Sequence, residues 1–207
     1  MSEPAAQAAG HHHYDPEANR IGMWLFLATE LILFGGIFLV YAVYYHNHPH
    51  PFEEAALDLD KRLGALNTVV LLTSSLTVAL AVGGVERGRR IGPVVNLGIT
   101  VLLAGVFMVI KYFEWTHKFH VGLYPGSEVM VDMPEGQQAY FGIYYLATGL
   151  HGLHVLVGMA VLTFVAVRIL QGRVTRERSC LVVNCGLYWH LVDLVWIYIF
   201  PLFYLIH

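Results

Sequence analysis

Five apolar runs, each long enough to cross a ~30 Å hydrocarbon core as a helix, leave this chain few folds to choose from. They cover roughly residues 21–45, 64–84, 91–112, 139–168 and 180–206. Length rather than periodicity makes this assignment, because the runs are apolar around most of their circumference. Composition agrees with it. Of 207 residues, 57% are apolar and 13% charged, and the mean hydropathy is +0.57; soluble domains carry about 25% charged residues. The expected fold is an all-α membrane protein, a bundle of five transmembrane helices spanning residues 21–207.

Residues 1–20, MSEPAAQAAGHHHYDPEANR, read as a polar tail with no apolar signal-peptide core. His11, His12 and His13 belong to that tail rather than to a metal site. Arg20, Arg87, Arg89, Arg90, Arg168, Arg173, Arg176 and Arg178 flank one side of the runs, whereas Lys61, Arg62, Lys111 and Lys118 are the basic residues of the other. The positive-inside rule therefore puts the N-terminus, the 85–90 loop and the 169–179 loop in the cytoplasm, and the C-terminus outside. The net charge of −3 comes mostly from the outer loops, where solvated carboxylates are the simplest reading. Cys180 and Cys185 form neither a CxxC nor a zinc or iron–sulfur spacing and read as buried thiols. The short connections after the second and fourth helices predict antiparallel packing of those pairs, and no internal repeat is visible.

Ionisable side chains inside spans are costly in lipid, so they face the bundle interior and pair. The set here is Glu30, His151, His154, His190 and Asp193. At ~1.5 Å per residue, Glu30, His154, His190 and Asp193 come to lie ~14–21 Å inside the cytoplasmic helix ends, on three helices. His151/His154 and His190/Asp193 are i,i+3 pairs, so each pair shares one helix face. Gly149, Gly152 and Gly158 beside the first pair allow another helix to approach closely. Three readings are open: polar groups paired across helix contacts, a proton relay, or a metal or haem site. The first is favoured, with all four residues in one intramembrane polar network. A b-type haem held by His154 and His190 is the cofactor reading. Di-iron sites want several Glu and Glu-x-x-His motifs, and copper wants Cys, Met and His in close spacing; neither pattern is present.

Glu30, in MWLFLATELILFGG, is the sharpest single signal: a carboxyl in apolar surroundings that must be paired or uncharged. Lys111, Glu114 and Lys118, in VFMVIKYFEWTHKF, read as an interfacial salt-bridged turn at the outer end of the third helix, with Trp115 as a belt residue. Arg168 closes the fourth helix, where it would snorkel toward lipid phosphate. Trp24 joins it as a lipid-contact candidate.

Together these stretches resemble subunit III of the haem–copper terminal oxidases. GLHGLHVLVG, YWHLVDLVWIYIF, FLATELILFGG and LNTVVLLTSS are similar, in order, to four signature segments of that family. The likeness spans nearly the whole chain after residue 20 and fits the five-helix bacterial form. The resemblance implies a subunit without redox centres or metal of its own, with haem and copper held by partner subunits I and II. It implies packing on subunit I, a V-shaped cleft holding phospholipid, and support of proton uptake and turnover stability. Glu30 matches the family's carbodiimide-reactive carboxylate, and Arg168 matches a position that contacts lipid phosphate. The setting implied is a bacterial plasma membrane, an aerobic respiratory chain and a larger respiratory supercomplex, with no nucleic acid. Alternatives are a b-type haem membrane anchor and a related partner of a nitric oxide reductase.

Overall fold

The computed structural model describes residues 16–174 and 179–206. His11–His13, Arg176 and Arg178 lie outside the described residues. Among the described residues seven helices follow in order: α1 (Pro16–Asn47), α2 (Pro49–Ala56), α3 (Lys61–Glu86), α4 (Ile91–Val121), α5 (Glu128–Val131), α6 (Glu135–Leu170) and α7 (Cys180–Tyr204). Among the described residues there is no strand. α1, α3, α4, α6 and α7 are each long and apolar enough to cross a membrane.

Several helices run past the limits expected from hydropathy. α1 begins at Pro16, inside the stretch read as a polar tail, because proline suits a first helical turn. α4 continues to Val121 rather than stopping near residue 112. Its end is made by Gly122, whose φ of 82° closes the helix in the left-handed conformation that glycine adopts without strain. The Asp60 side chain caps α3 by accepting from the backbone N–H of Arg62 and Leu63.

α3 pairs most extensively with α4, α4 packs on α6, and α6 on α1 and α7. α7 also packs on α3 and α1, and is the most enclosed of the five long helices, whereas α1 is the least. Apolar burial drives little here, since lipid is as apolar as a side chain, so close packing and interhelical hydrogen bonds carry the association. Trp189 Nε1 donates to Ser74 Oγ at 3.0 Å and Trp196 Nε1 to Thr68 Oγ1 at 3.1 Å, joining α7 to α3. The Thr77 and Thr100 hydroxyls meet at 2.7 Å between α3 and α4. Gly158 lets α6 reach α7: a Cβ there would stand 2.6 Å from Trp189 Cζ3.

One end of the bundle is roofed. α2 packs on α6, with Phe52 fully buried among Tyr41, Tyr45 and Tyr140. At the other end Arg90 of the α3–α4 connection lies beside Gly172 of the α6–α7 connection, and Asn184 reaches the Asn19 carbonyl.

Candidate functional site

The helix crossings bring polar groups together in three separate places. The first lies between α1 and α6. Here His154 Nε2 stands 2.9 Å from Glu30 Oε2, and His154 Nδ1 stands 2.8 Å from the Leu150 carbonyl. A carbonyl only accepts, so Nδ1 carries a proton. The short Nε2–Oε2 contact then holds one further proton, shared between imidazole and carboxyl. Whichever atom bears it, the pair has no net charge, which suits a site within the apolar span. Phe34 packs its edge against the imidazole at 5.2 Å. The Glu30 and His154 side chains keep 14% and 15% of their exposure, so the pair opens onto the outer face of the bundle rather than lying sealed in its core.

The second place is where α4, α6 and α7 meet. Lys111 Nζ donates to Glu114 Oε2 at 3.1 Å, to the Tyr144 hydroxyl at 3.0 Å and to the Tyr204 hydroxyl at 2.9 Å. All three ammonium donors are thereby used. Glu114 Oε1 accepts from Tyr144 at 2.5 Å and from Tyr204 at 2.7 Å. Lys118 Nζ donates to the Asp58 carbonyl at 3.0 Å. Lys111, Glu114 and Lys118 are 7%, 6% and 2% exposed. The Lys111–Glu114 ion pair expected from the sequence is present, with both side chains enclosed by protein, and Lys118 holds the segment after α2. The reason is that α4 extends to Val121, so that Tyr144 of α6 and Tyr204 of α7 close over Lys111 and Glu114 while the Asp58 carbonyl takes Lys118. Trp115 packs over Gly149 and against Tyr145, with its Nε1 buried, so it serves as a packing group.

The third place is the α3–α7 seam. His190 Nδ1 bonds the Ser75 hydroxyl at 2.7 Å. His190 and Asp193, which share one helix face, form no hydrogen bond with each other. Both side chains start from one face of α7, but the imidazole finds its partner across the seam on α3. Asp193 is 3% exposed and neither carboxyl oxygen makes a hydrogen bond of normal geometry. His151 is fully buried between Phe107 and Trp196, at ring distances of 5.5 and 5.3 Å, with both nitrogens unbonded.

The four residues read as one network are therefore distributed: His154 to α1, His190 to α3, His151 into an aromatic sandwich, and Asp193 buried near Ser75 without a hydrogen bond of normal geometry. His154 and His190, the haem-ligand candidates, face different seams. Among the described residues no three His, Cys, Asp or Glu side chains gather as a metal-holding group. Arg168 sets its guanidinium 5.2 Å over the Phe164 ring, and Trp24 projects outward with 59% of its surface exposed. Sequence reading missed Tyr144, Tyr204 and Ser75. Nothing in the spacing of two tyrosines sixty residues apart marks them as joint partners of one ion pair.

Fold and site together define a polytopic helical membrane protein whose polar chemistry is held between its helices. A sequence model of the family "Cytochrome c oxidase subunit III" matches residues 2–207, and the chain belongs to that family. It is 33% identical, over 203 residues, to "Heme-copper oxidase subunit I+III" of Aeropyrum pernix; the match takes in 95% of this chain and 24% of that longer protein. It is 29% identical to "Cytochrome bo(3) ubiquinol oxidase subunit 3" of Pseudomonas aeruginosa, over 97% of this chain and 92% of the relative. It is also 29% identical to "Cytochrome c oxidase subunit 3" of Synechocystis, over 97% and 80% of the two chains.

Proposed function

We propose that the chain is the accessory subunit III of a haem–copper oxygen reductase, seated on subunit I in a bacterial plasma membrane, with haem and copper held by subunits I and II. The N-terminus and the arginine-bearing connections face the cytoplasm, in keeping with the positive-inside rule. Phospholipid occupies the outer surface of the bundle around Trp24 and Arg168, whose amphipathic side chains suit the interface. The observation that carries the reading is the Glu30–His154 pair: one shared proton, zero net charge, and an opening onto the bundle surface where a partner subunit would pack. Such a pair exchanges a proton without placing a bare charge in lipid. Through it the subunit sustains proton uptake by its partner and lengthens the working life of the complex.

Affinity purification of the chain from its native membrane tests both levels. Haem-bearing subunits should co-purify in fixed proportion; recovery of the chain alone would overturn the assignment. In the same complex, Glu30→Gln should leave assembly and haem content unchanged but slow proton uptake severalfold and shorten the time to inactivation. Unchanged uptake would remove the pair's role and leave the subunit assignment standing.

A further inference from the structure

The α3–α7 seam holds polar chemistry that the Glu30–His154 pair does not touch. A groove of about 280 Å³ runs along it, its walls mostly apolar, with Val82, Val183 and Leu187 among them, and with Glu86 of α3 and His190 of α7 as its polar lining residues. Glu86 is exposed at the end of α3 that leads into Arg87, Arg89 and Arg90. At the other end His190 bonds Ser75, eleven residues along α3 from Glu86. Eleven residues of helix are ~16 Å. The groove itself is lined on α3 from Ala79 to Glu86, ~10 Å of helix, a length that roughly four waters at ~2.8 Å spacing cover, with room for them at about 30 Å³ each.

Past His190 the polar groups continue inward. Asp193 lies one turn further along α7, 97% removed from solvent by its 3% exposure. It stands close to the same Ser75 hydroxyl without meeting hydrogen-bond geometry. A buried carboxylate without a partner is among the costliest groups a span can contain. Among the described residues, the titratable and charged groups placed at this seam are Glu86 and, over Gly83, Arg87 from the end of α3, with His190 and Asp193 from α7. Lys111 and Glu114 belong to the meeting of α4, α6 and α7, and Glu30 and His154 to that of α1 and α6.

We propose that the α3–α7 groove is a water-filled proton access channel leading from Glu86 through His190 and Ser75 to the Asp193 carboxyl, which stores one proton inside the subunit. A neutral imidazole offers one N–H and one lone pair. A groove water delivers a proton to His190 Nε2, the Nδ1 proton passes to Ser75 Oγ, and the Ser75 hydroxyl proton passes to the Asp193 carboxylate. One proton enters and one rests on Asp193, and the reverse steps return it. Gly186 lets α7 close against α3 beside the groove: a Cβ there would stand 3.0 Å from Val82 Cγ2.

Infrared spectroscopy of the intact purified complex during transfer from H2O to D2O tests the channel. A protonated-carboxyl C=O band that is lost in Asp193→Asn, or moved in Asp193→Glu should the first variant not assemble, identifies the store. In the parent complex this band should shift on D2O exposure within seconds. His190→Phe and Ser75→Ala should each slow that shift at least tenfold, and Glu30→Gln should leave it unchanged. Ser75→Ala and Glu86→Gln change the fold least and keep the test open if His190→Phe does not assemble; Glu86→Gln should slow the shift severalfold. The proposal is overturned if no such band exists in the parent, if the band never exchanges, or if Ser75→Ala and Glu86→Gln exchange as fast as the parent.

Discussion

Lys111 and Glu114 show what single residues contribute in an environment with no water to fall back on. Their ion pair is closed by two tyrosine hydroxyls, so every donor of the ammonium and both carboxylate oxygens are engaged. A buried pair of this kind gives modest net stability, but removing one member leaves the other as an uncompensated charge, at a cost of about 3–5 kcal/mol. Glu114→Leu should therefore lower the thermal midpoint of the detergent-solubilised complex sharply. The double variant Lys111→Met, Glu114→Leu should recover a large part of that loss, because Tyr144 and Tyr204 can then bond each other. A double variant as unstable as the sum of its parts would show that the cluster is not organised around the charge pair. The residue types here were visible in the sequence, and so was the i,i+3 spacing of lysine and glutamate. Their burial was not, since it depends on Tyr144 and Tyr204, brought in by α6 and α7.

At the scale of elements, helix–helix separation is set by a few close approaches. Gly158 faces the Trp189 ring so tightly that a methyl group would stand 2.6 Å from it. The rigid indole is bonded to Ser74 and cannot turn away freely. Gly158→Ala should push α6 from α7 and destabilise by about 1–3 kcal/mol, the usual cost of overpacking. Gly152 is the control on the same helix. Its added methyl would meet Met108 Cε at 3.8 Å, an ordinary contact, while alanine gains up to about 1 kcal/mol of helix propensity. Gly152→Ala should be neutral or stabilising in the same melting measurement. Equal losses from the two variants would mean that the α6–α7 approach does not limit packing. The glycine run of ATGLHGLHVLVGM marked this helix as a contact helix. Which glycine carries the contact emerged only from the crossing of α6 over α7.

At the scale of the whole molecule, the two ends of the bundle differ. One is roofed by α2 and aromatic side chains, and the other collects arginine-bearing connections. In a Cys180→Ser, Cys185→Ser background, Arg89→Cys should react with a membrane-impermeant maleimide only in inverted vesicles. Glu128→Cys should react only in right-side-out vesicles. The opposite pattern would reverse the orientation proposed above and place Glu86, the channel mouth, on the outer surface.

The sequence by itself determined that the chain is a bundle of five long membrane-spanning helices and to which family it belongs. Apolar length and ordered local motifs are properties of contiguous residues. It also pointed to Glu30, His151, His154, His190 and Asp193, because any ionisable group in an apolar run stands out against its neighbours. Their partners could not be read from it. Each is supplied by another helix at a distance set by crossing angle and helix ends: Glu30 for His154, Ser75 for His190, Phe107 and Trp196 for His151. Tertiary structure alone decided that Lys111 is interior, that Asp193 stands apart from His190, and that a groove leads from Glu86 toward it. Hydropathy is additive along a chain, whereas a hydrogen bond across a seam requires two helices to meet at one depth and one rotation.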